Sequence, residues 1–569
     1  MNLLRKIASL LPLNQKIQIL ILMVMTIFLT VLELLSISSI PILISAIISD
    51  NVDFINSSKL NSLISQIDIK TLCFLTVLLF IIKNLLIIFY NYFNLRLNYK
   101  INITLSKKIF QNYICSDYLT LSKIKTSDMI RNLTSEVAQF VACVNNLNII
   151  IKELILLVSL LVLIVAVSDL RLFTIFIIFI IITSLVYFLI KGFLQKIGAQ
   201  TVFLRSKYIE TITDSFQLIK EIIINSKRNF FINKYFNNLK ATQKNELAAN
   251  FIFYSGKPIF EILAIIMIIT IILIKYEESY NAAYIISYLS LIGVSVIRCL
   301  PLFNSLLTSL NTLQYKKPAV DAVIKLIKFT ENQQEEEAYN QVDEGEKPKI
   351  IFNKSIKIKN LSFAYDQRKI LNNLSIEIKK GEKIGLIGSS GSGKTTLINI
   401  LSGLIKLKEE KLFIDDMSIK TEDYKEYRKI VSLMPQETYL MNESIHNNII
   451  FGASDYNNDL DIQDILETVN IKDFADKLIL KENEIITQDG SNISGGEKQR
   501  VIFGRSLFKD FELLILDEPT SSLDKENSYE IINSIFKKYS SKTIIIVTHK
   551  IDPRLKFDRV LNMSYGKIE

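Results

Sequence analysis

The chain has 569 residues, a formal charge of +9, and 49% hydrophobic residues. That length allows three or four ordinary domains, but the positive mean hydropathy argues against a chain that is water-soluble throughout. Cys73, Cys115, Cys143 and Cys299 are scattered with no C-x-x-C pairing, which argues against a disulfide framework or a thiolate metal site.

The apolar excess is confined to residues 1–310, whereas twelve of the seventeen glycines lie from Gly381 onward. The first half therefore packs long helices and the second makes tight turns. Spanning a bilayer takes about 20 apolar residues. Six stretches meet or approach that length, approximately 17–48, 71–93, 147–167, 172–190, 251–274 and 281–303. Lysine and arginine cluster before the first stretch, between the second and third, and between the fourth and fifth. By the positive-inside bias these segments are cytoplasmic, as are both termini. The net charge thus reads as topology and requires no nucleic acid. The first apolar run is too long for a cleaved secretory signal.

The two long cytoplasmic connections keep helical apolar spacing, so they are expected to extend the membrane helices. Leu60, Leu63, Ile64 and Ile67 fall at helical spacing and predict a short amphipathic helix outside. Residues 326–350 turn polar and lose their apolar period, as a linker would. The expected division is a membrane domain over 1–325, the linker, and an α/β domain over 351–569 opening with the alternating strand from Ile356 to Phe363.

Within that last domain, Gly388-Ser389-Ser390-Gly391-Ser392-Gly393-Lys394-Thr395 fits GxxxxGK[ST] at every fixed position. The apolar strand Ile384–Ile387 precedes it, and a helical run beginning at Thr396 follows. Backbone N–H groups and a helix N-terminus would converge there on a nucleotide triphosphate. Lys394 would neutralise the β and γ phosphates and the Thr395 hydroxyl would hold Mg²⁺. The buried-type strand Leu513–Leu516 delivers Asp517, for the Mg²⁺ shell, and Glu518, to polarise the attacking water. The strand Thr543–Val547 similarly delivers His549, placed to sense the γ-phosphate. His446 has no such context and receives no role.

Ile493-Ser494-Gly495-Gly496-Glu497-Lys498-Gln499-Arg500 resembles the signature motif of ATP-binding cassette (ABC) transporters, usually L-S-G-G-Q with a polar-Q-R tail. Further elements of that family follow in order. Tyr365 resembles the adenine-stacking aromatic, Gln436 the Q-loop residue, Ser521 to Asp524 the D-loop and His549 the switch histidine. The resemblance implies an exporter-type half-transporter, a six-helix all-α membrane domain fused to a P-loop ATPase of the ABC type. It also implies that ATP binds Tyr365 and residues 388–396, including Thr396. Gln436 would join Thr395 and Asp517 at Mg²⁺ and take part in hydrolysis. Ser494, Gly495, Gly496 and Glu497 would face ATP held by a second subunit. One chain carries one copy of each half-site, so a homodimer is expected, its closure felt by the cytoplasmic helix extensions. The departures are Ile493 and Glu497; a carboxylate beside a neighbour's triphosphate is expected to lower turnover without abolishing it.

Ionisable residues within spans are expensive and commonly mark a pathway. Glu33, Lys83, Lys257, Glu261 and Arg298 are the candidates, with snorkelling the alternative for the two lysines and pairing the alternative for the two acids. Glu33 with Pro41, the cation at 83, Lys257 four before Glu261 and Arg298 three before Pro301 are similar to the lipid-linked oligosaccharide flippases of bacterial protein glycosylation, which also carry a short external helix. That similarity implies an inner-membrane flippase for a polyprenyl-diphosphate-linked glycan. The alternatives are an exporter of a peptide, toxin or drug-like amphiphile, and an ATP-gated channel or regulator.

Overall fold

The computed structural model describes residues 2–48, 68–167, 170–277, 282–339, 349–407, 409–437, 439–452, 459–472, 474, 486 and 493–568. The chain divides into two compact units, Met1–Ser116 with Leu121–Gln334, and Asp117–Thr120 with Glu335–Glu569.

The first unit is helical. After α1 (Asn2–Leu10), Pro12 ends one helix and opens the next, its carbonyl accepting from the amides of Gln15 and Lys16. The long helices follow as α2 (Leu13–Ile48) and α3 (Ile69–Ile114). Two short ones, α4 (Tyr118–Leu121) and α5 (Thr126–Arg131), precede α6 (Val137–Val167), α7 (Leu170–Gln217), α8 (Ile219–Ile224), α9 (Arg228–Glu277) and α10 (Ala282–Tyr339). Among the described residues, Leu13–Ile40, Ile69–Ile114 and Thr126–Leu160 are long and apolar enough to cross a membrane. The last three expected spans fall within α7, α9 and α10.

These helices are apolar on several sides, as membrane helices must be. One face of α2 and α3 buries Leu22, Leu29, Leu97, Ile101 and Ile109 against Phe140 of α6 and Val320 of α10. Their opposite faces leave Val24, Phe28, Phe74, Ile81, Leu85 and Ile88 uncovered. A ladder of amides joins α3 to α6: Asn94 and Asn98 both donate to Asn145 Oδ1, at 2.8 and 3.0 Å, and Asn148 donates to Asn94 Oδ1 at 3.1 Å. At Gly198 of α7 a Cβ would lie 1.9 Å from the Tyr315 carbonyl oxygen of α10, so only glycine allows that approach. Residues 326–339, read from sequence as linker, continue α10. The expected external helix at 60–67 lies outside the described residues.

The second unit is α/β. Strands β1 (Ser355–Tyr365), β2 (Arg368–Lys379), β4 (Leu412–Ile414) and β5 (Met417–Ser418) form an antiparallel sheet in the order β2-β1-β4-β5. The other strands are β3 (Lys383–Gly388), β6 (Val431–Met434), β7 (Leu513–Asp517), β8 (Thr543–Val547), β9 (Arg559–Ser564) and β10 (Lys567–Ile568). They form a second sheet in the order β10-β9-β3-β8-β7-β6, parallel apart from β10. All five residues of both β7 and β8 are buried, which accounts for their unbroken apolar runs. Leu386 pairs with Val547, Val547 with Asp517 and Leu516 with Met434, so the C-terminal ends of four strands align along one edge. Helices α11 (Lys394–Leu401), α12 (Tyr424–Lys429), α13 (Ile445–Ile450), α14 (Asp459–Thr468), α15 (Gly495–Phe508) and α16 (Lys525–Lys538) complete the unit. Asp117 also belongs to it, paired with Lys406 at 2.7 Å.

Candidate functional site

In open α/β sheets ligands bind beyond the C-terminal ends of the parallel strands, and that edge carries the predicted residues. The loop after β3 is shaped by glycine. Gly388 (φ 155°) has the Met563 carbonyl oxygen 2.3 Å from where a Cβ would stand, and Gly393, at φ 105°, begins α11 in a conformation that side chains rarely adopt. Gly566 N–H braces the loop on the Ser392 carbonyl at 3.0 Å. Lys394 Nζ folds over its own loop, donating to the carbonyls of Gly388 (2.7 Å) and Ser389 (3.0 Å). Ser389, Ser390 and Thr395 are exposed, whereas Thr396 is buried. The Ser392 hydroxyl is buried with no hydrogen-bond partner. An unspent donor inside a glycine-formed cradle at a helix N-terminus fits a phosphate chain.

Asp517 ends β7 only 5% exposed. Burial, then the neighbouring Glu518 charge, pushes its carboxyl up to about 6, against the pull of Lys394 and His549. Glu518 turns the chain with φ 50°, unusual for a residue with a side chain, while its N–H still donates to Val547 O at 3.0 Å. Its two carboxylate oxygens are held separately. Gln436 Nε2 donates to Oε2 at 2.8 Å from the segment after β6, and His549 Nε2 lies 2.8 Å from Oε1, after β8. Three neighbouring strands thus aim three side chains at one point. Thr395, Gln436 and Asp517 supply the hydroxyl, amide and carboxylate oxygens that suit Mg²⁺.

The signature serine Ser494 caps α15. Its Oγ accepts from Glu497 N–H at 3.2 Å, while Glu497 Oε2 accepts from Ser494 N–H (2.7 Å) and from the Ser494 hydroxyl (2.8 Å). The carboxylate expected to face a neighbouring phosphate is therefore turned back on its own helix start. Ser494 and Gly495 are exposed. Asp524 caps α16 through Asn527 N–H at 2.9 Å, and the hydrogen bonds from Asn527 hold its carboxyl below the usual range. Tyr365 packs edge-on to Phe363, with ring centroids 5.1 Å apart.

One contributor carried a sequence signal that assigned it no role. Gln499, buried in α15, accepts from Ser522 N–H at 2.9 Å and reaches Ser521 Oγ at 3.4 Å, tying the signature helix to the D-loop. The clue was its place in the tail of the motif.

In the helical unit Glu33 shows the pairing that the sequence left as the alternative for the acids. Lys83 is 1% exposed and its Nζ lies 3.1 Å from Glu33 Oε2 and 3.3 Å from Ser36 Oγ. It is a buried, paired lysine. Lys257 and Glu261 are exposed, 71% and 53% by side chain, and lie 3.9 Å apart on one face of α9. Arg298 lies in α10, and its side chain is outside what the structure describes. Sequence reading passed over Lys152 and Glu153, adjacent charges inside an otherwise apolar run. Glu153 Oε1 takes a hydrogen bond from Ser305 at 3.2 Å and lies 3.5 Å from Lys152 Nζ.

Comparison with known proteins finds relatives in sequence and in fold. Residues 371–521 match the family described as ABC transporter. The chain is 28% identical over 364 residues to an "ATP-dependent lipid A-core flippase" of Francisella tularensis subsp. tularensis (strain FSC 198), covering 63% of this chain and 58% of that protein. It is 26% identical over 501 residues, 86% of this chain and 84% of the other, to a "Putative export ATP-binding/permease protein" of Rickettsia bellii (strain RML369-C). Among solved structures, a bacterial Atm1-family ABC exporter with ATP bound superposes with a TM-score of 0.78 at 17% identity, covering 98% of this chain and 94% of that one. The chain thus has the fold of an ABC exporter, and its residues 371–521 match the ABC transporter family. A helical unit with three helices long and apolar enough to cross a membrane, among the described residues, precedes the α/β unit that carries the family match.

Proposed function

We propose that the chain is an ATP-hydrolysing exporter or flippase that works as a homodimer in the cell (inner) membrane, both termini cytoplasmic, and moves a lipid-like amphiphile. The observation that carries this reading is Glu518, pinned between Gln436 and His549 beside buried Asp517. The loop amides and Lys394 bind the triphosphate, for which Lys394 exchanges its present carbonyl partners for phosphate oxygens. Thr395, Gln436 and Asp517 would hold Mg²⁺, which would supply charge neutralisation. Glu518 orients the attacking water and accepts its proton, and His549 holds Glu518 and senses the γ-phosphate. Ser494 and the N–H groups of Gly495 and Gly496 face the triphosphate of the second subunit, which is why the chain has to pair.

For the cargo, the names of the relatives favour a lipid with a polar head. A lipid-diphosphate-linked oligosaccharide is the finer reading, but Lys83 is already neutralised by Glu33. That pairing favours an amphiphile recognised without a ring of free cations. The test is reconstitution in liposomes of the wild-type chain and Glu518→Gln. ATP-dependent movement of labelled lipid between leaflets by the wild type, lost in the variant, supports the proposal. ATP hydrolysis unaffected by Glu518→Gln overturns it.

A further inference from the structure

Ser494 has one hydroxyl hydrogen, and in this structure it is spent. It points to Glu497 Oε2 at 2.8 Å, and the same oxygen takes the Ser494 backbone N–H at 2.7 Å. A hydrogen bond to a carboxylate is roughly twice as strong as one to a neutral acceptor. Ser494 and Gly495 are exposed, so this pair sits on the surface offered to a second subunit. We infer that Glu497 is a positioning residue that withholds the Ser494 hydroxyl from the facing triphosphate, and so sets the ATP concentration at which two chains close. This inference rests on the signature reading of Ser494 proposed above.

The chemistry distinguishes Glu from Gln at this place. Either side chain can return to the helix start and accept the Ser494 N–H, so either completes the cap. Only the carboxylate adds a full negative charge that competes with phosphate oxygens for one hydrogen and repels them. A glutamine Oε1 is a weaker competitor, and its Nε2 adds a donor. In Glu497→Gln the hydroxyl is therefore released while α15 keeps its start. The loss expected from Glu497 lies in affinity, since the carboxylate touches neither the water nor Glu518.

The full chain in lipid nanodiscs tests this with two readouts. Hydrolysis is measured against ATP concentration, and equilibrium binding of a fluorescent ATP analogue is measured in the Glu518→Gln background. Glu497→Gln is expected to lower KM and tighten binding by about three- to tenfold with kcat nearly unchanged. Its thermal midpoint should match the wild type, because the cap survives. Ser494→Ala is expected to weaken binding, and Glu497→Gln should then change nothing further. If Ser494→Ala weakens binding but Glu497→Gln is silent, or has the same effect without the serine, the inference is overturned alone. Should Ser494→Ala leave binding untouched, the signature reading falls with it.

Discussion

His549 Nε2 lies 2.8 Å from Glu518 Oε1, and this contact joins the ends of two adjacent parallel strands. With Gln436 on the other oxygen, Glu518 has little rotational freedom despite its left-handed backbone. A carboxylate held so firmly is already aligned for the role proposed for it. Replacing His549 with Ala should lower kcat for ATP hydrolysis by about 10- to 100-fold, and replacing Glu518 with Gln by about 10²- to 10⁴-fold. Both variants should still bind the nucleotide. The check is steady-state hydrolysis alongside equilibrium binding; loss of binding in either variant would mean that the contact is structural.

Burial, then the neighbouring Glu518 charge, pushes the Asp517 carboxyl up to about 6. The sign of the consequence follows from its folded value lying above the ordinary one. The ionised form strains the fold, so the strain is absent below about pH 4, grows between about 4 and 6, and is complete above 6. Asp517→Asn should therefore raise the thermal midpoint at pH 7.5 and change it little at pH 4. Mg²⁺ needs the ionised carboxylate, so magnesium-dependent nucleotide binding should weaken as pH falls through 6 in the wild type. In Asp517→Asn that binding should be weak and flat across the same range.

The α/β unit was legible because a phosphate-binding loop demands fixed residue types at fixed spacings. Gly388, Gly393 and Lys394 follow from loop geometry alone, and Asp517, Glu518 and His549 from the ends of apolar strands. Contacts between distant segments were harder to read. Nothing in a helical hydropathy pattern says that Lys83 meets Glu33, since both lie on apolar helices whose relative rotation is a tertiary property. Lys152 and Glu153 were overlooked for a related reason: the apolar run around them hid two adjacent charges. The polar composition of 326–339 suggested a linker, yet Glu and Gln are good helix formers, and α10 continues through them.

Lys383 shows how much of the nucleotide domain rests on one buried amine. Its Nζ donates to the carbonyls of Gly381 (3.3 Å), Tyr539 (3.0 Å), Ser540 (3.1 Å) and Lys542, and its own N–H donates to Asp558 at 2.7 Å. The amine thereby ties the start of β3 to the turn before β8. Lys383→Met keeps most of the stem but takes the amine from all four carbonyls, of which Tyr539 retains the Lys542 N–H, a loss of about 2–4 kcal/mol. The thermal midpoint of the full chain should fall by several degrees while KM for ATP stays near the wild-type value. A change in KM without loss of stability would assign Lys383 to the site instead.

The Glu33–Lys83 pair permits a direct decision between packing and cargo recognition. Both side chains lie inside helices that read as spans, with Lys83 essentially inaccessible and Ser36 completing its shell. Breaking one partner of a buried pair leaves an uncompensated charge, which costs about 3–5 kcal/mol, whereas replacing both with apolar groups is often neutral. Lys83→Met and Glu33→Leu should each destabilise the detergent-solubilised chain, and the double variant should recover most of its thermal midpoint. If the pair is structural, lipid-stimulated hydrolysis should recover with it. Restored stability without restored stimulation would show instead that Lys83 reads the headgroup of the transported lipid.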